Sequence, residues 1–332
     1  MPQPDATVVV CTYNRAALLG PALESLAAMQ TGERFQYEVL VVDNGSTDDT
    51  CAVVAEVAGR SQVPIRHVCE TARGVAAARN RGVAEARGSW IAFFDDDQLA
   101  HPDWLAQLLA TAHEKNARCV GGAVDLALPA GQSRRLALDC RRVLGATPPI
   151  DTVCRYTRKR MPGTGNLLLH ASVFDEVGRF DPALQQAGED VDLFRRIRAA
   201  GIDGWFTPHA IVWHVTPAYR LTDEYFLWVS LRVGAAFAHR DRQEKGLAPL
   251  AAILAARTLQ AGLLHLPRWL WRRVRGDAEG LLAMRCLLAR FEGYARRGLQ
   301  LLVPRLFAQE RFFAGLDSRR ERQWFACREA AS

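Results

Sequence analysis

Short apolar runs alternate with amphipathic stretches along the first third of the chain. Each run is bounded by polar or turn-forming residues, as is typical of strands that are buried on both faces. The predicted strands are 7–11, 37–42, 65–68 and 90–94. Leucine or alanine recurs at helical spacing between them, which predicts helices over 16–29, 50–58 and 74–86. This order predicts an α/β fold with a mostly parallel, Rossmann-like sheet that is flanked by helices.

The rest of the chain carries the same two patterns at wider spacing. Predicted strands lie at 119–124, 167–169 and 211–214, and predicted helices at 104–117 and 188–200. The segment 129–149 is predicted to be irregular, and the chain from Asp223 onward to be helical. We expect an α/β domain over 1–220, with halves 1–124 and 125–220, and a helical module over 221–332.

The charge is distributed unevenly between these two parts. The 332 residues carry a net charge of +6, but residues 221–332 hold 19 Lys+Arg and 11 Asp+Glu, a net charge of +8. A basic helical module on a near-neutral body predicts an anionic surface as its partner. The module has a high leucine and tryptophan content and no nucleic-acid-binding motif, so nucleic acid is not the expected partner.

The eight cysteines and the amino terminus both predict a cytoplasmic protein. The cysteines are scattered, and no two of them form a C-x-x-C pair, which favours reduced thiols over disulfides or a zinc framework. The first residues show neither a basic segment nor an apolar run of the kind that begins a signal peptide.

The most informative stretch is 89–98, in which an apolar strand runs directly into Asp95, Asp96 and Asp97. Burying an unpaired carboxylate is costly, so these three must meet solvent, cationic side chains or a metal. Ligands bind at the carboxyl ends of the strands in open α/β sheets, and oxygen ligands suit a hard divalent cation. The alternative is a solvated turn. No G-x-G-x-x-G or P-loop motif is present, which disfavours dinucleotide-binding and P-loop proteins.

Five short motifs in order resemble glycosyltransferase family 2, the inverting transferases with a GT-A fold. They lie between Thr7 and about Pro217, and they are VVCTYNR, VVDNGSTD, GVAAARNRG, FFDDD and GEDVDL. The resemblance implies a nucleotide-diphospho-sugar donor. Two other functions are less favoured. A sugar-phosphate nucleotidyltransferase would need a Gly-rich, Lys-containing signature, which residues 10–19 lack, and the intact Asp triplet with Glu189 and Asp190 argues against a non-catalytic carbohydrate-binding or scaffold protein.

The resemblance assigns the donor site to the carboxyl ends of the strands. Thr12, Tyr13 and Arg15 would line the nucleotide pocket, and Asp43 would accept a hydrogen bond from the base, for which uracil is our expectation. Arg79 would pair with the diphosphate or hold the acidic cluster. Asp95 and Asp96 would face the nucleotide and its ribose.

The metal and the catalytic base are also implied by the resemblance. Asp97 would bind Mn²⁺ or Mg²⁺ directly, with His214 as a second ligand or, alternatively, as a packed histidine. Asp190 would be the general base that deprotonates the acceptor hydroxyl, and Glu189 would be its neighbour in acceptor binding. Asp192 is the alternative base.

Two further features concern the acceptor. The loop 163–166 looks like an acceptor-side loop, and Trp104, Trp205 and Trp213 are either sugar-stacking or core residues. The apolar segment 247–275 contains a central arginine and ends in more arginines, which favours a peripheral membrane contact over a span. A soluble helical subdomain or an oligomer interface is the alternative.

The chain lacks the Q-x-x-R-W motif of processive members, so we expect transfer of one sugar to a glycan or lipid-linked acceptor at the inner face of the cell membrane.

Overall fold

A computed structural model describes residues 3–132, 135–157, 160–184 and 188–306 of the chain. These residues form two compact units. The α/β unit comprises 3–127 and 149–215, and the helical unit comprises 128–148 and 216–306, in each case where the structure describes them. Residues 307–332 of the predicted helical module, including Cys327, lie outside the described residues.

Nine strands and eleven helices make up the described fold. The strands are β1 (Ala6–Thr12), β2 (Tyr37–Asp43), β3 (Ile65–Cys69), β4 (Trp90–Asp95), β5 (Gln98–Ala100), β6 (Cys119–Ala127), β7 (Cys154–Arg155), β8 (Asn166–His170) and β9 (Gly204–Val215). The helices are α1 (Ala16–Ala27), α2 (Thr50–Arg60), α3 (Val75–Glu85), α4 (Trp104–Glu114), α5 (Leu138–Val143), α6 (Ser172–Val177), α7 (Glu189–Ala199), α8 (Asp223–Lys245), α9 (Leu247–Gln260), α10 (Leu266–Arg275) and α11 (Ala278–Leu302).

The sheet has the strand order β3-β2-β1-β4-β8-β6-β9-β5, and β7 pairs with β9 outside this path. The parallel arrangement predicted from the sequence holds for β3, β2, β1 and β4. The later strands make the sheet mixed, because β8 runs antiparallel to both β4 and β6. An apolar run shows that a strand is buried but not its direction, so the sequence pattern could not reveal this reversal.

The sheet is buried on both faces, as the apolar runs predict. Alternate residues of β1 point to opposite faces, so Val8 and Val10 pack with α1, α2 and α4, whereas Val9 packs with α3, α6 and α7. Both faces are therefore occupied by helices. Because helices cover both faces, polar side chains that must reach solvent or a ligand lie at the carboxyl edge of the parallel strands.

Two elements differ from the sequence-based expectation. The segment 129–149, predicted to be irregular, contains the short helix α5 and belongs to the helical unit, not to the α/β domain in which we expected it. The strand expected at 211–214 is the last third of the longer strand β9, which already begins at Gly204. Thr207 and Pro208 interrupt the apolar pattern there, which hides the first part of this strand.

The helical unit is built on close contact between α8 and α11. A Cβ atom at Gly234 would lie 1.9 Å from the Arg290 carbonyl oxygen, and one at Gly293 would lie 1.9 Å from the Leu231 carbonyl oxygen. Only glycine allows the two backbones to approach this closely. Leu250 of α9 is buried in a small core against this pair, where the Tyr294 hydroxyl donates to Asp241 Oδ2 at 2.8 Å.

Helices α9 and α10 form one continuous helix, Leu247–Arg275, through a short π-helical turn at Ala261–His265. Among the residues that the structure describes, this helix alone is long and apolar enough to cross a membrane, judged by length and composition only. Only 11% of its most apolar window is buried within the protein. A large apolar surface is thus left uncovered on this helix.

Candidate active site

The three consecutive carboxylates end β4 at the carboxyl edge of the sheet, and Arg15 neutralises two of them. Its Nη1 atom lies 2.7 Å from Asp96 Oδ1 and 2.9 Å from Asp97 Oδ2. Burial alone would lower the pKa of Arg15, but the two carboxylates outweigh it and raise the pKa above its ordinary value. Arg15 follows β1 at the start of α1, so two neighbouring parallel strands bring these groups together.

His214 lies beside Asp97, as the predicted metal site requires. The pairing of β5 with β9 sets Gln98 opposite His214, and the Val215 amide donates to the Asp97 carbonyl oxygen at 2.8 Å. His214 Nε2 is 3.4 Å from Asp97 Oδ2. The two predicted metal ligands are therefore adjacent although more than a hundred residues separate them in the sequence.

Arg79 connects the acidic cluster with the predicted catalytic pair. Its Nη1 atom lies 2.5 Å from Glu189 Oε1, and its Nη2 atom lies 4.0 Å from Asp95 Oδ1. Arg79 and Glu189 are both buried, and the guanidinium lies 5.6 Å from the centre of the Phe180 ring. Arg79 therefore pairs closely with Glu189 and approaches the acidic cluster only at Asp95. Glu189 is engaged by this ion pair through one oxygen.

Asp190 is the second residue of α7, which begins at Glu189 directly after Gly188, whose φ of 101° lies in the left-handed region. Asp190 Oδ1 accepts a hydrogen bond of 2.7 Å from the Val191 amide. Burial raises the pKa of Asp190, the neighbouring Glu189 raises it further, and the bond from the amide opposes both effects. A carboxylate with a raised pKa is a stronger base than an ordinary aspartate, which suits proton abstraction.

The acidic cluster itself is electrostatically strained. Burial raises the pKa of Asp95 to about 6, because the attraction of Arg79 only partly offsets burial and the repulsion of Asp97 and Asp96. Burial also raises the pKa of Asp96 in spite of Arg15. Bringing a further positive charge to this edge would relieve the repulsion between the carboxylates.

The loop 163–166 lies against Asp95. A Cβ atom at Gly165 would lie 2.2 Å from Asp95 Oδ2, so glycine is required for this close approach. Asn166 fixes the end of the loop, since its Nδ2 donates to the carbonyl oxygens of Ala123 and Ala210 at 2.9 and 3.0 Å. The loop that the resemblance assigns to the acceptor is thus next to the acidic cluster.

The three tryptophans considered for sugar stacking lie in different environments. Trp104 is fully buried and donates from Nε1 to Asn166 Oδ1 at 2.8 Å, so it is a core residue. Trp205 is partly buried against the core with Lys115 and Arg155 near its ring. Trp213 is partly buried beside the ring of His101.

The nucleotide side of the edge is formed by the ends of β1 and β2. Thr12 is paired with Asp43 in register, and both are buried, whereas Tyr13 is 41% exposed. Asp43 Oδ1 accepts from the Ser46 amide at 2.8 Å. Asn14, with a φ of 51°, accepts from the Thr47 amide at 2.7 Å and so joins the two loops.

Sequence reasoning missed several residues that shape this edge. Asn14 was not singled out, and neither was Asn44, whose side chain accepts from the Gly74 amide at 2.9 Å and donates to the Ala72 carbonyl oxygen. His67 and Cys69 of β3 were also missed, although His67 Nε2 lies only 3.7 Å from Asp43 Oδ2. These two residues could have been found from the sequence by their position at the end of β3, the strand beside β2.

Asp97 and His214 bring a carboxylate and an imidazole together at this edge, with Asp95 two residues before Asp97 in the chain. Carboxylate oxygens and one imidazole nitrogen suit Mn²⁺ or Mg²⁺. Asp95, Asp96 and Asp97 outnumber the two arginines near them, Arg15 and Arg79, so negative charge is in excess here.

The Arg79–Glu189 pair predicts a measurable stability difference between two arginines of the same helix. Arg79→Met leaves the Glu189 carboxylate buried without its cation and should lower the free energy of unfolding by about 3–5 kcal/mol. Arg81→Met, the matched control, breaks an exposed pair with Glu85 and should cost less than about 1 kcal/mol. Urea denaturation measures both. Adding Glu189→Leu should restore most of the stability lost in Arg79→Met, and equal losses for the two single variants would contradict the analysis.

Comparison with known proteins identifies the family of this chain. The sequence model of glycosyl transferase family 2 matches residues 7–178. The succinoglycan biosynthesis protein ExoM of Rhizobium meliloti is 29% identical over 97% of this chain and 96% of its own length. Validoxylamine A glucosyltransferase of Streptomyces hygroscopicus subsp. jinggangensis is 34% identical over 60% of this chain and 52% of its own length.

Solved structures show the same fold. The mannosyltransferase PcManGT of Pyrobaculum calidifontis, in complex with GDP-Man and Mn²⁺, covers 89% of this chain and 88% of its own length with a TM-score of 0.55 at 19% identity. GalNAc-T7 with UDP, GalNAc and Mn²⁺ covers 64% of this chain and 44% of its own length with a TM-score of 0.50 at 17% identity. Because the family model matches just over half of the chain, the protein belongs to glycosyl transferase family 2 and is a nucleotide-sugar-dependent glycosyltransferase with the GT-A fold.

Proposed function

We propose that the protein is an inverting, metal-dependent transferase that moves one sugar from a UDP-sugar to a hydroxyl group of a glycan or lipid-linked acceptor. The observation that carries this proposal is the position of Arg79, which contacts both Glu189 of the catalytic pair and Asp95 of the acidic cluster. It keeps the amino terminus of α7, where Asp190 lies, close to the acidic edge. Inversion requires a base and a departing diphosphate in one site.

Asp190 is the base in this proposal. Its raised pKa favours proton uptake from the acceptor hydroxyl. Asp192, the alternative base, is engaged by Arg196 of the same helix at 2.8 Å, which lowers its availability for proton transfer. Glu189 orients this end of α7 through Arg79 and lies next to the acceptor.

The donor lies across the ends of β1, β2 and β4. Asp43 accepts a hydrogen bond from the imide N–H of the base, Thr12 and Tyr13 border the base and ribose, and Asp95 and Asp96 face the nucleotide. Arg15 holds Asp96 and Asp97 in place for this role. Asp43 can accept from the ring N–H of uracil, thymine or guanine, and the solved neighbours contain UDP in one case and GDP-Man in the other, so the choice of uracil is decided by the nucleotide comparison below.

Asp97 and His214, with Asp95 nearby, would hold the cation. Bound there, Mn²⁺ or Mg²⁺ neutralises the charge that develops on the departing diphosphate. The chain itself supplies the remaining positive charge through Arg15 and Arg79. Both solved neighbours were crystallised with Mn²⁺, which supports the assignment.

The acceptor belongs to polysaccharide biosynthesis in this proposal. ExoM, a succinoglycan biosynthesis protein, aligns with nearly all of this chain. Family membership argues against a sugar-phosphate nucleotidyltransferase. A non-catalytic scaffold is disfavoured because the acidic cluster and Asp190 remain together in one electrostatic network.

The helix Leu247–Arg275 is the membrane contact in this proposal, with the enzyme at the cytoplasmic face. It presents a row of exposed large apolar side chains that begins in α9 and continues through α10. They are Leu259, Leu263, Leu264, Leu266, Leu270, Trp271 and Val274. The segment also contains five arginines and no acidic residue, so its charge complements an anionic bilayer.

The helix packs by one side against the protein and therefore lies along the surface. Leu250 is buried in the core with Tyr294, and the Arg257 guanidinium lies 4.1 Å from the centre of the Tyr294 ring. The central arginine thus faces the protein and not the proposed lipid. Arg273 and Arg275 lie over the rings of Trp269 and Trp271, which suits a polar–apolar boundary.

Metal-dependent nucleotide binding tests the donor site. We expect calorimetric titration to show that UDP binds in the presence of Mn²⁺ and at least about tenfold more weakly without it, because a cation held by Asp97 and His214 would offset the repulsion between the diphosphate and the carboxylates. The comparison with dTDP and GDP identifies the nucleotide. Asp97→Asn should remove the metal dependence, and UDP binding that is equally tight with and without metal would contradict the proposal.

Asp190→Asn tests the base. Asparagine keeps the oxygen that accepts from the Val191 amide but cannot take a proton, so the transfer rate should fall by about 10²–10⁴-fold while UDP affinity stays unchanged. Asp192→Asn is the matched control and should retain most activity. If Asp190→Asn also abolishes UDP binding, the residue has a structural role and the assignment fails.

Vesicle flotation tests the membrane contact. The protein should float with vesicles that contain anionic lipid, bind less with zwitterionic vesicles, and lose binding as salt increases. Leu263→Glu with Trp271→Glu should reduce binding by at least about tenfold, because each change places a carboxylate in the apolar face. Leu138→Glu, an equally exposed apolar position on α5, is the control. If the double variant floats normally but has a changed oligomeric state, this helix is a subunit interface instead.

A further inference from the structure

A second group of potential metal ligands lies on β2 and β3, separate from the acidic cluster. The two strands run parallel, with Asp43 opposite Cys69 and Val41 opposite His67. Side chains two residues apart on a strand point to the same face, so Asp43, His67 and Cys69 share one face at the carboxyl edge. A carboxylate oxygen, an imidazole nitrogen and the thiol sulfur all lie within 4.8 Å of one another.

The histidine in this group lacks a partner in the described part of the chain. His67 Nε2 is buried and makes no hydrogen bond there. The nearest carboxylate oxygen, Asp43 Oδ2, is 3.7 Å away, which is too far for a hydrogen bond. The other oxygen, Oδ1, accepts from the Ser46 amide. Buried polar atoms are normally satisfied, so an orphaned nitrogen that faces a carboxylate and a thiol indicates a missing ligand.

We propose that Asp43, His67 and Cys69 form a binding site for Zn²⁺. Zinc takes thiolate, imidazole and carboxylate ligands at about 2.0–2.3 Å, which places tetrahedral ligand atoms about 3.3–3.8 Å apart. The separation of 3.7 Å between His67 and Asp43 falls within this range. Cys69 is exposed, so its thiol can release its proton to solvent when the metal binds.

The ligand types separate this site from the acidic cluster. Thiolate and imidazole select zinc over the harder Mg²⁺ and Mn²⁺, which prefer oxygen. Three protein ligands leave the fourth position open, as in zinc sites that are not structural. The metal is therefore expected to bind reversibly to the folded protein without being needed for folding.

The site would control donor binding, and this consequence rests on the proposed role of Asp43 in reading the base. Zinc occupies Asp43 Oδ2 and fills the space next to it, so zinc and the nucleotide exclude one another. An increase in free zinc would then inhibit transfer at the donor-binding step. Neither His67 nor Cys69 has a role in the proposed reaction itself.

Cobalt(II) is the probe for this site, because it reports its ligands by absorption. The full chain with reduced thiols is titrated with Co²⁺ in excess Mg²⁺, which occupies the oxygen-rich site. We expect a thiolate-to-cobalt charge-transfer band and intense tetrahedral bands, both removed by one equivalent of Zn²⁺. Cys69→Ser should remove the charge-transfer band, and His67→Gln should weaken Co²⁺ binding at least about tenfold.

Cys51→Ser is the matched control, since Cys51 is also exposed and lies on α2 away from the ligand group. This variant should keep both sets of bands. The absence of a charge-transfer band, or a band that survives in Cys69→Ser, overturns the metal site. Near-ultraviolet circular dichroism confirms that each variant is folded.

Competition with UDP is measured separately, so that the two proposals can fail independently. In excess Mg²⁺, zinc should weaken UDP binding to the wild type and to Cys51→Ser. The factor by which zinc weakens UDP binding should be at least about tenfold smaller for Cys69→Ser. If the cobalt bands appear and UDP binds but is insensitive to zinc, the metal site stands and its proposed control of donor binding is overturned. If UDP competes but the bands are absent, the thiolate-containing site is overturned.

Discussion

The active edge of this protein depends on two arginines that compensate a dense group of carboxylates. Arg15 binds Asp96 and Asp97, and Arg79 binds Glu189 while it approaches Asp95. Without these cations the carboxylates would either repel one another or take up protons. The compensation is incomplete, since burial and the repulsion of Asp97 and Asp96 keep the pKa of Asp95 raised to about 6 in spite of Arg79. The remaining negative charge would favour a cation at this edge, and such a cation would in turn offset the charge of the proposed diphosphate.

The mixed sheet makes this arrangement possible. Four parallel strands place their carboxyl ends at one edge, which supplies the nucleotide side and the acidic cluster. The antiparallel strand β8 then brings the loop before it back to the same edge, so that Gly165 lies against Asp95. Strand β9, paired with β5, adds His214 beside Asp97. These polar groups lie in or directly beside buried strands, which restricts their motion.

The helical unit combines close helix packing with an exposed apolar surface. Glycines at the contact of α8 with α11 allow close packing, and a small core holds one side of α9. The other side of Leu247–Arg275 remains apolar and exposed, with arginines and no acidic residues along its length. A surface of this kind is unfavourable in water unless a partner covers it. The proposed partner, an anionic bilayer, satisfies the apolar side chains and the positive charges together.

The sequence by itself determined the parallel half of the sheet, the helices between its strands, the carboxylates at the end of β4 and the family. These features are local, because periodicity and short motifs are complete within a few residues. Only the tertiary structure decided the antiparallel direction of β8, the burial of Trp104 against Asn166, and the grouping of Asp43 with His67 and Cys69. The pairing of Arg79 with Glu189 joins residues 110 positions apart. Such contacts exist only once the chain has closed around its core, so no local pattern could reveal them.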